Sequence, residues 1–161
     1  MSGQGFERHD HAACIADGLA AADRACAERG LQLTPVRRRV LEYLLGEHRA
    51  LGAYEILDRL RAEGRGKQPP AADRALEFLV SHGIAHRIEK LNAFIACGLP
   101  GQTHQPAFLI CSDCGTVAET DTAPAAGALG RAAKASGFAI ARTVIEAEGT
   151  CPRCANGAAA T

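Results

Sequence analysis

The sequence predicts an α+β chain built as two units, and three observations predict it. Four segments before residue 84 carry apolar residues at helical spacing. From Ile84 onward the pattern changes to that of short strands. Two Cys-x-x-Cys turns, at Cys111/Cys114 and Cys151/Cys154, then bracket most of the last third of the chain. With 161 residues there is room for one domain or two small ones.

Residues 12–29 read as an alanine-rich helix ended by Gly30. In "LTPVRRRVLEYLLGEH", Thr34 is a natural N-cap and Pro35 sits at the first helical position, where its missing N–H costs nothing. Val36, Val40, Leu41 and Leu44 form the apolar face of that helix, and Gly46 closes it. "AYEILDRLRAEG" gives a third helix with Ile56, Leu57 and Leu60 facing the core. "PPAADRALEFLVSHG" gives a fourth, opened by proline and closed by Gly83. "IAHRIEKLNAFIAC" reads as two strands, and placing Leu91 and Asn92 at their turn sets His86 directly opposite Cys97. Helices followed by a two-stranded hairpin make the winged-helix pattern, whose last helix enters the DNA major groove.

"GLPGQTHQP" is a linker. Beyond it, "AFLIC" and "TVAETD" are expected strands, "TAPAAGALGRAAKASG" a helix with Pro124 near its start, and "FAIARTVIEAEG" a long strand. The expected division is 1–98 for the winged-helix unit, 99–106 for the hinge, and 107–161 for a small α/β unit with a tail that frays after the last cysteine.

Composition narrows the class. At 47% hydrophobic and 22% charged residues the chain is globular, and its net charge of zero gives no global basic field. Charge is uneven, however. Between Arg29 and Arg74 ten Lys/Arg face six Asp/Glu, whereas from Leu91 onward the ratio is four to five. No apolar run reaches the roughly 20 residues of a membrane span, and "MSGQGFERHDHAACIADG" lacks a signal-peptide core. The expectation is a cytoplasmic protein without a membrane partner. In that compartment seven cysteines argue for metal or thiol chemistry rather than disulfides.

Cys111, Cys114, Cys151 and Cys154 supply four thiolates, the soft tetrahedral set that suits Zn2+. A closed four-thiolate site has no vacancy for catalysis, so its role is folding. A second group comprises His86, Cys97, His104 and Glu119, drawn from hairpin, linker and second unit. Each of these alone has an ordinary alternative: a buried thiol, a satisfied strand histidine, a solvated glutamate. Together they would form a mixed site spanning both units. One thiolate with two imidazoles favours zinc over iron(II) or manganese.

"LTPVRRRVLEYL", "PP…RALEFL", "GIAHRIEKLNAFIAC", "FLICSDCG" and "CPRC" resemble the ferric uptake regulator family, from about Ala20 to Cys154. The single histidine of "THQPAFLIC", where the iron-sensing branch carries a histidine-rich run, points to the zinc uptake regulators. The resemblance implies a structural zinc on Cys111, Cys114, Cys151 and Cys154 and a sensing zinc on His86, Cys97, His104 and Glu119, hence two Zn2+ per subunit. It also implies a homodimer that binds palindromic double-stranded operator DNA and represses zinc-uptake genes, with the second unit serving dimerisation. No enzyme activity and no small-molecule substrate are expected.

The family's fourth helix usually begins "PPTVYRAL"; here it begins "PPAADRAL". Arg74 is kept, and arginine is the commonest reader of guanine in the major groove. Asp73 replaces a tyrosine and repels phosphate unless it accepts a hydrogen bond from a cytosine amino group. Tyr54 matches a family tyrosine that approaches DNA. Arg37, in the run Arg37–Arg39, belongs to a solvated face or to phosphate contacts. Cys14 and Cys26 are expected as small apolar residues on the first helix, and His9 and His11 in a mobile tail. Two alternatives to the zinc-responsive repressor stay open on these residues. One is a relative that senses iron, manganese or peroxide. The other is a zinc-stabilised module whose DNA binding Asp73 has weakened.

Overall fold

The computed structural model describes residues 6, 10–65, 68–123 and 127–157. Pro124, His9 and the tail beyond Gly157 lie outside the described residues. The element order is α1 (His11–Glu28), α2 (Pro35–Leu45), α3 (Ala53–Ala62), α4 (Pro69–Ser81), β1 (Ala85–Ile88), β2 (Ala93–Ala96), β3 (Pro106–Cys111), β4 (Val117–Asp121), α5 (Ala128–Ala135), β5 (Glu146–Gly149) and α6 (Pro152–Ala155). Among the described residues no helix is long and apolar enough to cross a membrane.

The four helices form as their punctuation dictates. Asp10 caps α1 by accepting from the Ala12 N–H at 2.9 Å, which draws His11 into the helix rather than a tail. Thr34 caps α2, with Pro35 at its first position. Val40, Leu41 and Leu44 of α2 meet Ile56, Leu57 and Leu60 of α3 and Leu76 and Leu79 of α4 in one buried core. Cys26 joins that core, whereas Cys14 is exposed, contrary to the apolar placement expected for it.

The hairpin corrects the expected register. Ile88 pairs with Ala93 and His86 with Ile95, so the loop holds four residues, Glu89–Asn92, rather than two. Asn92 closes it in the left-handed region at φ 47° and donates its N–H to the Glu89 carbonyl. His86 therefore does not face Cys97 directly; Cys97 bonds back to the Ile84 carbonyl. A two-residue shift preserves the alternation of faces, so His86 and Cys97 still share one side. Leu51 adds a short antiparallel bridge to Phe94.

β4, β3 and β5 form a second sheet in that order, antiparallel then parallel. Two further expectations change here. The helix expected over 122–137 is present from Ala128. The long strand expected over 138–149 is a strand only at Glu146–Gly149. Pairing with β3 begins at Phe108–Glu146, and Phe138, Ile140 and Val144 stand exposed before it. Strand-like sequence without a neighbouring strand cannot complete a ladder.

The halves are not merely tethered. Ile88 and Ile95 of the hairpin share a buried cluster with Phe108, Ile110 and Val117 of the sheet. The segment after α2 also reaches across, with Val117 N–H donating to the His48 carbonyl at 2.7 Å.

Candidate metal centres

The first centre grows from two turns. β3 ends at Cys111, and the chain reverses through Gly115 at φ +74°, a conformation glycine adopts without strain. β5 runs parallel to β3 and delivers Cys151 and the short α6 to the same end of the sheet. The four sulfur atoms of Cys111, Cys114, Cys151 and Cys154 all lie within 4.8 Å of one another. Cys114 Sγ and Cys151 Sγ are 3.8 Å apart, matching the edge of about 3.8 Å in a tetrahedron with Zn–S bonds near 2.3 Å.

Donors stabilise thiolate at this end. The Cys151 N–H points at Cys111 Sγ at 3.3 Å, and Thr116 Oγ1 lies 3.2 Å from Cys114 Sγ. Backbone N–H groups lower the Cys111 pKa, and the Thr116 hydroxyl leads the causes that bring Cys114 down to about 6. Cys154 is pushed up to about 12, first by burial and then by the neighbouring sulfurs. Four crowded sulfurs cannot all carry charge without a cation among them.

The second centre draws on both halves. His86 comes from β1, Cys97 follows β2, His104 lies in the connection, and Glu119 is on β4. Their donor atoms also fall within 4.8 Å of one another. Glu119 Oε1 is 2.7 Å from His104 Nε2 and 3.3 Å from His86 Nε2, and Cys97 Sγ is 3.5 Å from His104 Nε2. Despite that proximity, His86 Nε2 is buried without hydrogen-bond geometry to any partner. A buried nitrogen that makes no well-formed hydrogen bond and lies within 4.8 Å of three other donor atoms fits an ion as the missing partner.

Surrounding groups orient these donors. His104 Nδ1 is 2.9 Å from the Gln102 carbonyl, an arrangement that leaves Nε2 as the donor toward the centre. Burial pulls the His104 pKa down, but the Gln102 carbonyl and the Glu119 charge outweigh it and the net shift is upward. Glu119 shows the converse. Burial raises its pKa, while the His86 contact and the Gly98 N–H at 2.8 Å bring it below the usual carboxylate value. Cys97 is pushed up to about 12, by burial first and then by the Glu119 charge. Its thiol therefore gives up a proton when a cation binds. A cavity of about 250 Å³ reaches Cys97, His104 and Glu119 from beside Leu44 and Leu45. Sequence reasoning assembled the eight donors but missed Gly98, Gln102 and Thr116, which act through backbone or hydroxyl groups and have no spacing signal.

The residues named for DNA lie elsewhere. Asp73 and Arg74 are exposed side by side on α4, and Tyr54 is 85% exposed at the start of α3. Ala72 is buried in the helical core, so at that position the departure from the family pattern changes packing, whereas at Asp73 it changes the outer face. Arg37 stacks its guanidinium 3.7 Å from the centre of the Phe78 ring and donates to the Gln32 carbonyl at 2.8 Å. Arg38 pairs with Asp23, and Arg39 with Glu42 and Glu63.

A helical unit with a hairpin, carried on a sheet whose end gathers four thiols and joined to it by a mixed donor set, defines a metal-dependent winged-helix protein. No family model matches the chain. Over 137 residues it is 39% identical to the zinc uptake regulation protein of Escherichia coli (strain K12), covering 84% of this chain and 80% of that protein. A solved zinc uptake regulator complexed with zinc and DNA superposes with a TM-score of 0.82 at 36% identity, covering 89% of this chain and 97% of that one. The chain belongs to the ferric uptake regulator family, in its zinc uptake regulator branch. The holo form of XcZur superposes at TM-score 0.78 and 38% identity, covering 87% of this chain and 98% of that one. The apo form superposes at only 0.51, with 39% identity and 89% and 99% coverage. At nearly equal identity, the arrangement of this chain is close to the holo form and far from the apo form.

Proposed function

We propose that this protein is a zinc-responsive transcriptional repressor that binds palindromic operators as a zinc-loaded homodimer and represses zinc-uptake genes. The observation that carries the reading is the second centre, whose four donors are split between the hairpin side and the sheet side of the molecule. An ion held by both would fix the angle of α4 relative to the sheet. In a two-fold dimer that angle sets the spacing of the two reading heads. Zinc then acts through its preference for one arrangement, not through occupancy alone.

Several features support the parts of this reading. The division into 1–98, 99–106 and 107–161 is the proposed domain plan, with the hinge carrying His104. Two sets of four donors support the reading of two Zn2+ per subunit. The structural ion would rest on Cys111, Cys114, Cys151 and Cys154, and the sensing ion on His86, Cys97, His104 and Glu119. Zinc supplies, when bound, a closed-shell cation that accepts four donors tetrahedrally. Cys97 favours zinc over a harder metal at the sensing position. The work is regulatory rather than catalytic, because neither set leaves a vacant position for a substrate. Leu129, Phe138, Ile140 and Val144 expose apolar area on the second unit, a surface suited to a second copy. Arg74, Tyr54, Asp73 and Arg37 are the proposed operator contacts, and Arg37 also stacks on Phe78 of α4.

Operator binding across a buffered free-zinc series tests the proposal. Affinity should rise steeply over a narrow zinc range; a flat response across the series would overturn it.

A further inference from the structure

The hairpin lies across one row of the second sheet. Phe108 of β3 pairs with Glu119 of β4 on one side and with Glu146 of β5 on the other, so the three residues stand abreast. Residues in register on neighbouring strands present their side chains to the same face. Each of the three meets the hairpin at a different point. Glu119 accepts the Gly98 N–H at 2.8 Å, just past the end of β2. The Phe108 ring sits 5.4 Å from the His86 ring. Glu146 reaches the far end, where its two oxygens accept the N–H groups of Glu89 and Lys90 at 2.5 and 2.9 Å. The same loop is pinned from two more positions. Arg142 holds Glu89 at 2.5 Å, and Lys90 pairs with Glu148 at 3.3 Å.

We infer that Glu146 is a positioning residue for operator recognition: a metal-free latch on the hairpin tip that favours the same arrangement of the two halves as the sensing centre. This rests on the regulatory reading above. Glu119 ties the base of the hairpin to the sheet through the metal donors. Ile88 and Ile95 pack on Phe108, Ile110 and Val117 beside it. A second carboxylate at the opposite end of the row adds a polar anchor at the hairpin tip to these contacts. Main-chain N–H groups recognise the Glu146 carboxylate, and the Glu89 and Lys90 side chains reinforce the contact through Arg142 and Glu148. The four-residue loop makes it possible, because it aims two successive N–H groups outward at one acceptor.

Linkage gives the consequence. A contact made only in the closed arrangement raises the affinity of every ligand that prefers that arrangement. Removing the Glu146 carboxylate should therefore weaken operator binding and sensing-site zinc together, and leave the four-thiolate site alone.

The test uses the full-length dimer carrying Glu146→Ala and, separately, Arg142→Ala, whose exposed side chain can be removed without risk to folding. Three quantities are read. They are zinc affinity by chelator competition, operator affinity at saturating zinc, and the distance between spin labels on α4 and α5. Expected for Glu146→Ala are a three- to tenfold weaker sensing-site affinity, at least fivefold weaker operator binding, and a broadened distance distribution. Structural zinc should stay at one per chain and the melting temperature should be unchanged. Arg142→Ala should shift the same quantities in the same direction by less. If both variants keep wild-type zinc affinity and distances, the latch is overturned. If the wild type itself binds operator without regard to zinc, the repressor reading fails, while zinc affinity and distance still decide the latch.

Discussion

The two proposed metal centres stand close in sequence and do different work. Cys111 and Cys114 lie fewer than ten residues from Glu119, yet they belong to separate donor sets. The sulfur set closes one end of a single sheet. Its donors come from the β3–β4 turn and from the turn after β5, so it joins pieces already neighbours in the ladder. The mixed set joins hairpin, hinge and sheet, which only the relative placement of the two halves brings together. An ion in the first contributes folding free energy. On the proposed reading, an ion in the second would select between arrangements of the two halves. Donor type follows the task. Four thiolates are the softest set for zinc, whereas one thiolate with imidazoles and a carboxylate is a mixed set of borderline softness.

The largest effect should come from the sulfur set. Cys151→Ser removes one of four thiolates from a site of a kind worth ~10 kcal/mol or more in small zinc-dependent folds. That is comparable to the whole stability of a domain. The sheet unit should lose cooperative unfolding, bound zinc should fall, and the dimer should dissociate. Metal analysis and size-exclusion chromatography read this; an intact zinc-loaded dimer would break the distinction drawn between the centres.

Cys97→Ser should act oppositely. The dimer and the structural ion persist, and operator affinity at saturating zinc falls more than about 100-fold, beyond the effect of losing an outer-shell partner. Unchanged operator binding in this variant would sink the sensing assignment.

Why the donors were legible and the register was not is a matter of period. Two Cys-x-x-Cys turns state their chemistry in four letters. The mixed set needed only the right face of the hairpin, and the register error of two residues left that face unchanged. The loop itself carried no decisive signal, since Asn92 serves equally in a two-residue turn or at the left-handed end of a longer one. The strand expected from Phe138 reflects a true apolar pattern, but a strand exists only where a neighbour accepts its hydrogen bonds. Glu146 was invisible for the same reason: a strand glutamate reads as solvated until the opposing loop is placed against it.

Acidity separates the two tasks more gently. With no cation bound, the Cys97 thiol, pushed up to about 12, is protonated at neutral pH. Zinc binding must release that proton. Affinity at the mixed centre should therefore rise about tenfold per pH unit between pH 7 and 9. It should rise more steeply below the raised pKa of His104, where a second proton leaves. Chelator competition at constant ionic strength reads the slope, and a pH-independent affinity would show that Cys97 does not contribute its thiolate.

The smallest expected effect asks whether the centres are independent. Thr116 is buried, with its hydroxyl 3.2 Å from Cys114 Sγ and 3.4 Å from the Arg153 guanidinium. Thr116→Val keeps the shape and removes the hydroxyl. Cys114 then loses a donor that favours its thiolate, and the Arg153 N–H loses an acceptor. Affinity at the sulfur centre should fall about tenfold, the lower end for an outer-shell partner. The neighbouring Val117 N–H still donates to His48, so the link between the halves is kept. The mixed centre should accordingly hold its affinity within about twofold, because residues without shared partners act nearly additively. Stepwise zinc titration against two chelators of different strength measures both sites in one sample. If the mixed centre weakened as much as the sulfur centre, β4 would be transmitting strain from one to the other. Fold and signal would then be coupled through Thr116 rather than kept apart by the short strand between them.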